Sequence, residues 1–398
     1  MESPQPSFAS SLSREPDTGR AAAAVAEEIR RQLGDRRADL LVAFVSHHHG
    51  EGIEALGPRL ARELDARTLI GCTGESIVGR TQEIENGPAL SVFAAVLPWT
   101  DLQGFDVSAA QESDGSFAFT RLPPTGQREQ ASVLLLADPY TFPAADYLSI
   151  LNEQVPGLPV TGGMASGGMG PGQNLLFTER GLSDAGAIGV VLEGAVELRS
   201  VVSQGCRPIG KPLVITACKD NMLLKLGGRK ALEVLMEMLQ GIEDGERELF
   251  TRAPFLGLAI DARKSSFQRG DFLVRGLMGI DPQAGAIAVA DDSLRMGMSV
   301  QFLARDAASA GEDLVQLMRA AAPLESPSAR GALLFSCNGR GSRMFDEPHH
   351  DITRLQSAFH APIPAAGFFA AGEIGPVGGR NFLHGFTASV ALFQTRTQ

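Results

Sequence analysis

The sequence predicts a mixed α/β protein: layered sheets with outer helices in two lobes, built from a repeated strand–helix–strand–strand unit. Three observations lead there. Short apolar runs alternate with stretches whose apolar residues recur at helical spacing. The same succession returns three times along the chain. Gly-rich polar corners follow the apolar runs, as expected where buried strands end at one side of a sheet.

In the first copy LLVAFVS (Leu40–Ser46) reads as a strand, and Ile53, Leu56, Leu60 and Leu64 share one helix face. TLIGCTGE (Thr68–Glu75) then enters a Gly-rich turn, and ALSVFAAVL (Ala89–Leu97) is the next strand. The second copy runs through SVLLLAD (Ser132–Asp138), a helix at Ala144–Gln154, PVTGGMASGG (Pro159–Gly168) and AIGVVLEG (Ala187–Gly194). The third uses GALLFSC (Gly331–Cys337), a helix with Ile352, Leu355 and Phe359, PAAGFFAAGE (Pro364–Glu373) and GFTASVALF (Gly385–Phe393). A right-handed crossover makes the first two strands of each copy parallel, and the third returns antiparallel.

Between the second and third copies the pattern changes to hairpins. Leu198–Cys206, Leu213–Ala217 and Leu223–Leu226 precede a helix carrying Leu232, Leu235 and Leu239. Strands follow near Leu256–Ile260, Phe272–Leu277, Ala286–Ala290 and Met298–Ala304, then a helix with Leu314, Leu317 and Ala321. The polar GIEDGERE (Gly241–Glu248) marks the domain boundary, giving domains at 19–240 and 241–398. Gln111–Gln130, with Pro123–Pro124, reads as a connector rather than a mobile lid.

The 398 residues suffice for two cores. With 44% hydrophobic and 20% charged residues, the composition is that of an ordinary globular protein. A net charge of −11 disfavours nonspecific nucleic-acid binding, and no apolar stretch has the length of a membrane span. The first twenty residues contain no apolar core of the secretory type, and residues 1–18 are expected to form a disordered tail. Four cysteines without CxxC spacing fit reduced thiols in a cytoplasmic protein.

Ligands of parallel α/β sheets bind beyond the carboxyl ends of the strands. Here those ends carry Ser46, His47, Asp138, Cys337, Asn338 and Arg340 on first strands. Second strands end in Cys72, Thr73 and Glu75, in Gly162–Ser166, and in Gly372 and Glu373. Glu75 and Glu373 would suit an ammonium or amide donor and Arg340 a carboxylate, so an amino-acid-like ligand or small carboxylate fits. The alternative is that the Gly-Glu steps are turn features and Arg340 neutralises Glu373; for Asp138 it is a helix cap. In His47–His48–His49 at most two side chains point together, which leaves a metal short of ligands; a solvated helix-entry loop is the alternative. Cys337 beside Arg340 has the setting of an activated thiolate, yet no base is placed beside it; a buried structural cysteine is the alternative. Cys206 and Cys218 sit in apolar strand context.

Five stretches carry a resemblance across residues 38 to 393: FSCNGRG, GFFAAGEIGP, GCRPIGKPLVITACKDNMLLKLGGRKALEVL, FLVRGLMGIDPQAGAIAV and GMSVQFLARDA. In this order they resemble the FIST (F-box and intracellular signal transduction) proteins. The resemblance implies an N-terminal FIST domain at 19–240, a C-terminal one at 241–398, and a role in sensing small molecules. It also implies two kinds of ligand, amino acids and, in some bacterial members, haem for nitric oxide detection; His47–His49 and His384 offer the axial histidine. The expected function is a cytoplasmic ligand sensor that signals to a separately encoded partner such as a histidine kinase. A haem-based gas sensor and a hydrolase using Cys337 and Glu373 are the alternatives.

Overall fold

All seven residues of LLVAFVS (Leu40–Ser46) are buried, so this strand has to be covered on both faces. The computed structural model, which describes residues 5–34, 36–126, 131–261, 264, 267, 270–322 and 329–396, provides that cover. The chain forms two units, Met1–Val202 with Leu314–Gln398, and Ser203–Asp313.

In the first unit, the first repeat comprises β1 (Ser7–Ser13), α1 (Thr18–Leu33), β2 (Leu40–Ser46), α2 (Leu56–Glu63), β3 (Thr68–Gly74), β4 (Ile77–Val78), β5 (Glu83–Ile84) and β6 (Leu90–Val96). A 3-10 segment, His47–Ile53, joins β2 to α2. The second comprises β7 (Thr100–Val107), β8 (Ala109–Gln111), β9 (Phe117–Phe119), β10 (Ala131–Ala137), α3 (Ala144–Gln154), β11 (Val160–Met164), β12 (Leu176–Thr178), β13 (Gly181–Ser183) and β14 (Ala187–Gly194). The third opens with β15 (Val196–Ser203), and the second unit interrupts it.

That unit contains β16 (Cys206–Lys219), β17 (Met222–Leu226), β18 (Arg229–Lys230), α4 (Ala231–Gly241), α5 (Asp244–Arg252), β19 (Pro254–Ala259), β20 (Phe272–Asp281), β21 (Ala286–Val289) and β22 (Ser299–Arg305). Its strands run in the order β16-β22-β19-β20-β21-β17, and β16 pairs again with β17, which closes a barrel. The long β16 makes both pairings because its register shifts between Ile209 and Leu213, beside Gly210 at φ +66°. The third repeat resumes with α6 (Ala307–Ala321), β23 (Ala329–Cys337), α7 (His350–Gln356), β24 (Ala365–Ala370), β25 (Glu373–Val377), β26 (Arg380–His384) and β27 (Ala388–Thr395).

The expected pairings hold. β2–β3, β10–β11 and β23–β24 are parallel, and β6, β14 and β27 return antiparallel to the first strands. Each repeat also lends its hairpin to another. The β12–β13 hairpin of the second extends the first sheet beside β3, β25–β26 of the third extends the second beside β11, and β4–β5 of the first extends the third beside β24.

Strand alternation then separates the cores. Leu40, Val42 and Phe44 face a cluster shared by all three sheets, with Leu134, Leu136, Leu333 and Phe335. Leu41, Ala43 and Val45 face α1 and α2 on the outside. Phe44 lies 5.0 Å from Phe368 between ring centroids, and Phe93 lies 4.9 Å from Phe393, so aromatic pairs tie the first and third sheets.

One expectation needs correction. The N-terminal segment is not a disordered tail: Ser7–Ser13 pairs with β6 along its length, and Phe8 packs 5.6 Å from Phe393. Alternation in SFASSLS is carried by small residues, which hides the strand. The position expected for the boundary, 240/241, falls at the last residue of α4, within the compact unit Ser203–Asp313. Of the Gln111–Gln130 connector, β8 and β9 form a hairpin, and 127–130 lie outside the described residues.

Deleting residues 1–13 is expected to lower the thermal unfolding midpoint by several degrees and promote aggregation, since it bares the β6 edge. Deleting 1–4 leaves β1 whole and should change neither, as calorimetry and light scattering would register.

Candidate functional site

The exchanged hairpins bring the second-strand ends of all three repeats to one place, and Ser166 is where they join. Its backbone N–H donates to Thr73 O (3.2 Å), and its carbonyl meets His47 Nε2 at 2.9 Å. Its hydroxyl donates to Phe369 O and accepts the Glu75 N–H at 2.8 Å. One serine of the second repeat therefore holds both the first and the third. Nearby, Met164 N–H donates to Gly372 O (2.8 Å) and Ala371 N–H to Met164 O (3.1 Å).

Arg340 stands at the centre of the third corner and is wholly buried. Its Nε and Nη2 make a two-pronged pair with Asp351, at 2.7 and 2.8 Å. Asp351 also accepts from Ser336 Oγ at 2.6 Å and meets His350 Nδ1 at 2.9 Å. The guanidinium lies 5.2 Å from the Phe345 ring, which stacks in turn on His350. Gly341 lets this loop turn: φ is +60°, and an added Cβ would sit 2.5 Å from Phe369 and 2.8 Å from Glu85.

Two buried carboxyls face the same region. Glu373 accepts from the N–H and hydroxyl of Thr387 (3.0 and 2.7 Å), and the Cys337 thiol offers it a further, weak hydrogen bond. Burial pushes Glu373 up to about 8, so it is mostly a neutral acid at pH 7. Burial, and then the Asp351 charge, also raise Glu83, which accepts the Ile352 N–H at 2.8 Å. Asp351, against its own desolvation, is held well below the usual carboxylate range by Arg340. One cation is thus matched by one full anion. Cys337 is pushed up to about 12 by burial and by Glu373, so its thiolate is scarce at neutral pH.

Three polar atoms of the corner lack a hydrogen-bond partner within normal limits: Arg340 Nη1, Glu373 Oε1 and Asn338 Oδ1. The Asn338 backbone is fixed by its N–H to Ala370 O (3.0 Å), and its carbonyl accepts from Arg343 Nη1 at 2.7 Å. Arg343 also pairs with Glu75, and Ser342 binds Glu85 at 3.0 Å through its N–H. Glu75, Cys337, Asn338, Arg340, Gly372 and Glu373 therefore belong to one linked assembly.

Other expected residues serve the frame. Ser46 Oγ accepts the Ala89 N–H (2.9 Å), and Thr73 Oγ1 accepts the Leu175 N–H (3.0 Å). Cys72 is buried in the central core, where desolvation raises its pKa. Asp138 holds its own turn through Thr141 (2.7 Å) and Tyr140 (3.2 Å) and accepts from Asn174 (3.2 Å); it does not cap α3, whose N-cap position is Pro143. His48 is exposed while His47 binds Ser166, so the histidine run divides. The Arg340 fork expected to receive a ligand carboxylate is taken by Asp351, which was not singled out, and neither was Glu83. Their signal was faint: Asp351 lies in the first turn of α7, eleven residues after Arg340. Ser166 was legible only as the matching corner of the second repeat.

No helix among the described residues is long and apolar enough to cross a membrane. Comparison with known proteins finds the FIST N domain over residues 39–229 and the FIST C domain over 231–376. Uncharacterized protein Rv0628c of Mycobacterium tuberculosis is 41% identical over 387 residues, covering 96% of this chain and 98% of its own. Uncharacterized protein Mb0898c of Mycobacterium bovis is 39% identical over 383 residues, covering 95% and 96%.

Arg340→Met leaves Asp351 buried without its arginine cation, held only by Ser336 and His350, and should cost about 3–5 kcal/mol in denaturant unfolding. Adding Asp351→Leu should recover much of that loss. Glu373 has an ordinary value of 4.5 and about 8 when folded, so the folded state holds the extra proton between those limits. Stability should be highest near the acid end of that window and fall as pH rises through it, by on the order of 1 kcal/mol per unit. Glu373→Gln should flatten that slope in unfolding curves taken across the same range.

Proposed function

This chain belongs to the FIST family, and from that premise we propose that it is a cytoplasmic small-ligand sensor for an amino-acid-like molecule or small carboxylate. FIST domains are sensory domains of signal transduction. The reading adds a ligand class, a place for it, and an output to a separately encoded protein such as a histidine kinase.

One observation carries it: where three repeats meet, Arg340 Nη1, Glu373 Oε1 and Asn338 Oδ1 are buried without regular partners. Orphaned buried donors and acceptors are rare because each loses its hydration unreturned. A guanidinium N–H, a carboxyl oxygen and an amide oxygen together answer the two ends of a small zwitterion. Arg340 contributes its remaining N–H, since its fork is held by Asp351.

Signalling needs two conformations with different affinity for the ligand. The segment from Asn338 to Arg343 supplies a movable piece. Its outer end is fastened by Arg343 to the part-exposed Glu75 and by Ser342 to Glu85. Exposed ion pairs contribute only about 0–1 kcal/mol each, so this end opens at low cost. Ligand that seats beneath the segment would favour the closed form and change the surface offered to a partner.

The geometry gives the other two readings less support. His384 Nε2 lies 2.9 Å from Gly375 O and His47 Nε2 is engaged by Ser166, so neither presents that nitrogen to haem iron. A nucleophilic Cys337 would need a base, and its neighbour Glu373 is itself mostly protonated at neutral pH.

Native mass spectrometry of freshly purified protein, with thermal shift against amino acids and small carboxylates, tests the proposal. A retained small molecule or a midpoint rise of several degrees is expected, with Asn338→Ala losing the rise while its ligand-free midpoint changes little. A protein that retains nothing, and that no such metabolite stabilises, would overturn it.

A further inference from the structure

The histidine run has one member that the strand-end cluster does not use. His49 is only 6% exposed and lines a cavity of about 430 Å³ with Asp17, Thr18, Gly19, Gly52 and Arg59. Its Nδ1 lies 3.1 Å from Thr18 Oγ1, while its Nε2 is buried with no hydrogen-bond partner. Burial lowers its pKa, which keeps the ring neutral. The Thr18 hydroxyl also reaches His49 O at 3.4 Å; in the tautomer that carries its proton on Nε2, that atom is a donor in want of an acceptor.

Two further donors face the same space. The cavity opens on the first turn of α1, a helix of 16 residues. Asp17 Oδ1 accepts the Arg20 N–H at 2.7 Å, and Asp17 O accepts the Ala21 N–H at 2.8 Å. The N–H groups of Thr18 and Gly19 have no carbonyl behind them in the helix, and the positive end of its dipole lies there. Arg59 binds Glu63 through Nε at 2.8 Å, and its Nη1 lies where a Cβ on Gly19 would come within 2.7 Å. Gly19 thus leaves room for the guanidinium against the helix start. Asp17 is the one carboxylate lining the cavity, and its Oδ1 is committed to the cap.

We propose that this cavity is a second binding site, for a small oxyanion, phosphate or carboxylate, gripped by His49 Nε2, Arg59 and the N-terminal amides of α1. Helix starts combined with an arginine suit such groups because N–H donors and positive charge converge on the oxygens. The site lies wholly within the first repeat and does not depend on the sensory reading of the strand-end cluster.

Titration calorimetry of the full chain with inorganic phosphate, and separately with succinate, tests it. Saturable binding of either supports the site, and the anion preferred identifies the source. Arg59→Gln should weaken binding about tenfold or more. Gly19→Ala, whose methyl group would meet the end of Arg59 at 2.7 Å and Asp17 Oδ1 at 3.2 Å, should do the same with at most a small fall in the thermal midpoint. No heat from either anion up to about 10 mM, a concentration that reports even millimolar Kd values, would overturn the proposal. So would binding that both variants leave unchanged.

Discussion

Each repeat places its second strand at the edge of its own three-stranded core, and an open edge cannot be left bare. The structure covers every such edge with a hairpin from a different repeat: β12 on β3, β25 on β11 and β4 on β24. This exchange makes three similar units into one body. It lets three sheets turn one face inward to a shared core and the other outward to helices. It also fixes where the Gly-rich corners go, because each hairpin leaves its strand directly through the corner.

That crossing is why polar chemistry concentrates at Ser166 and Arg340. Chains entering and leaving three sheets carry backbone groups that no regular ladder can satisfy, and side chains take over. Ser166 meets the needs of Thr73, Glu75 and Phe369 together. Arg340 brings a full charge into the same dry region, where Asp351 balances it; burial there makes Glu83 and Glu373 keep their protons more firmly than exposed carboxyls do. A buried ion pair is a weak contributor to stability beside a well-packed apolar alternative.

The nested barrel bears on how the family's domains map onto the fold. The two FIST matches follow one another along the chain, meeting between residues 229 and 231. The compact units are instead interleaved, since β15 precedes Ser203–Asp313 but for its last residue, β23, β24 and β27 follow it, and all four belong to one sheet. The FIST C match therefore draws its residues from both the barrel and the third repeat.

The repeating pattern of apolar runs determined the strands, the helices between them and the parallel and antiparallel pairings, because period and chain direction are local properties. Family motifs around Cys337–Arg340 and Gly372–Glu373 likewise pointed to residues that do come together. The partners of those residues were not legible. Ser166 for Glu75 and the order in SFASSLS arise from segments distant in sequence that are brought into contact, and Asp351 reaches Arg340 across an intervening loop eleven residues on. Hairpin exchange decides the contacts of Ser166, and it depends on which exposed edge each hairpin meets, a choice made by packing between repeats and written in no single stretch of chain.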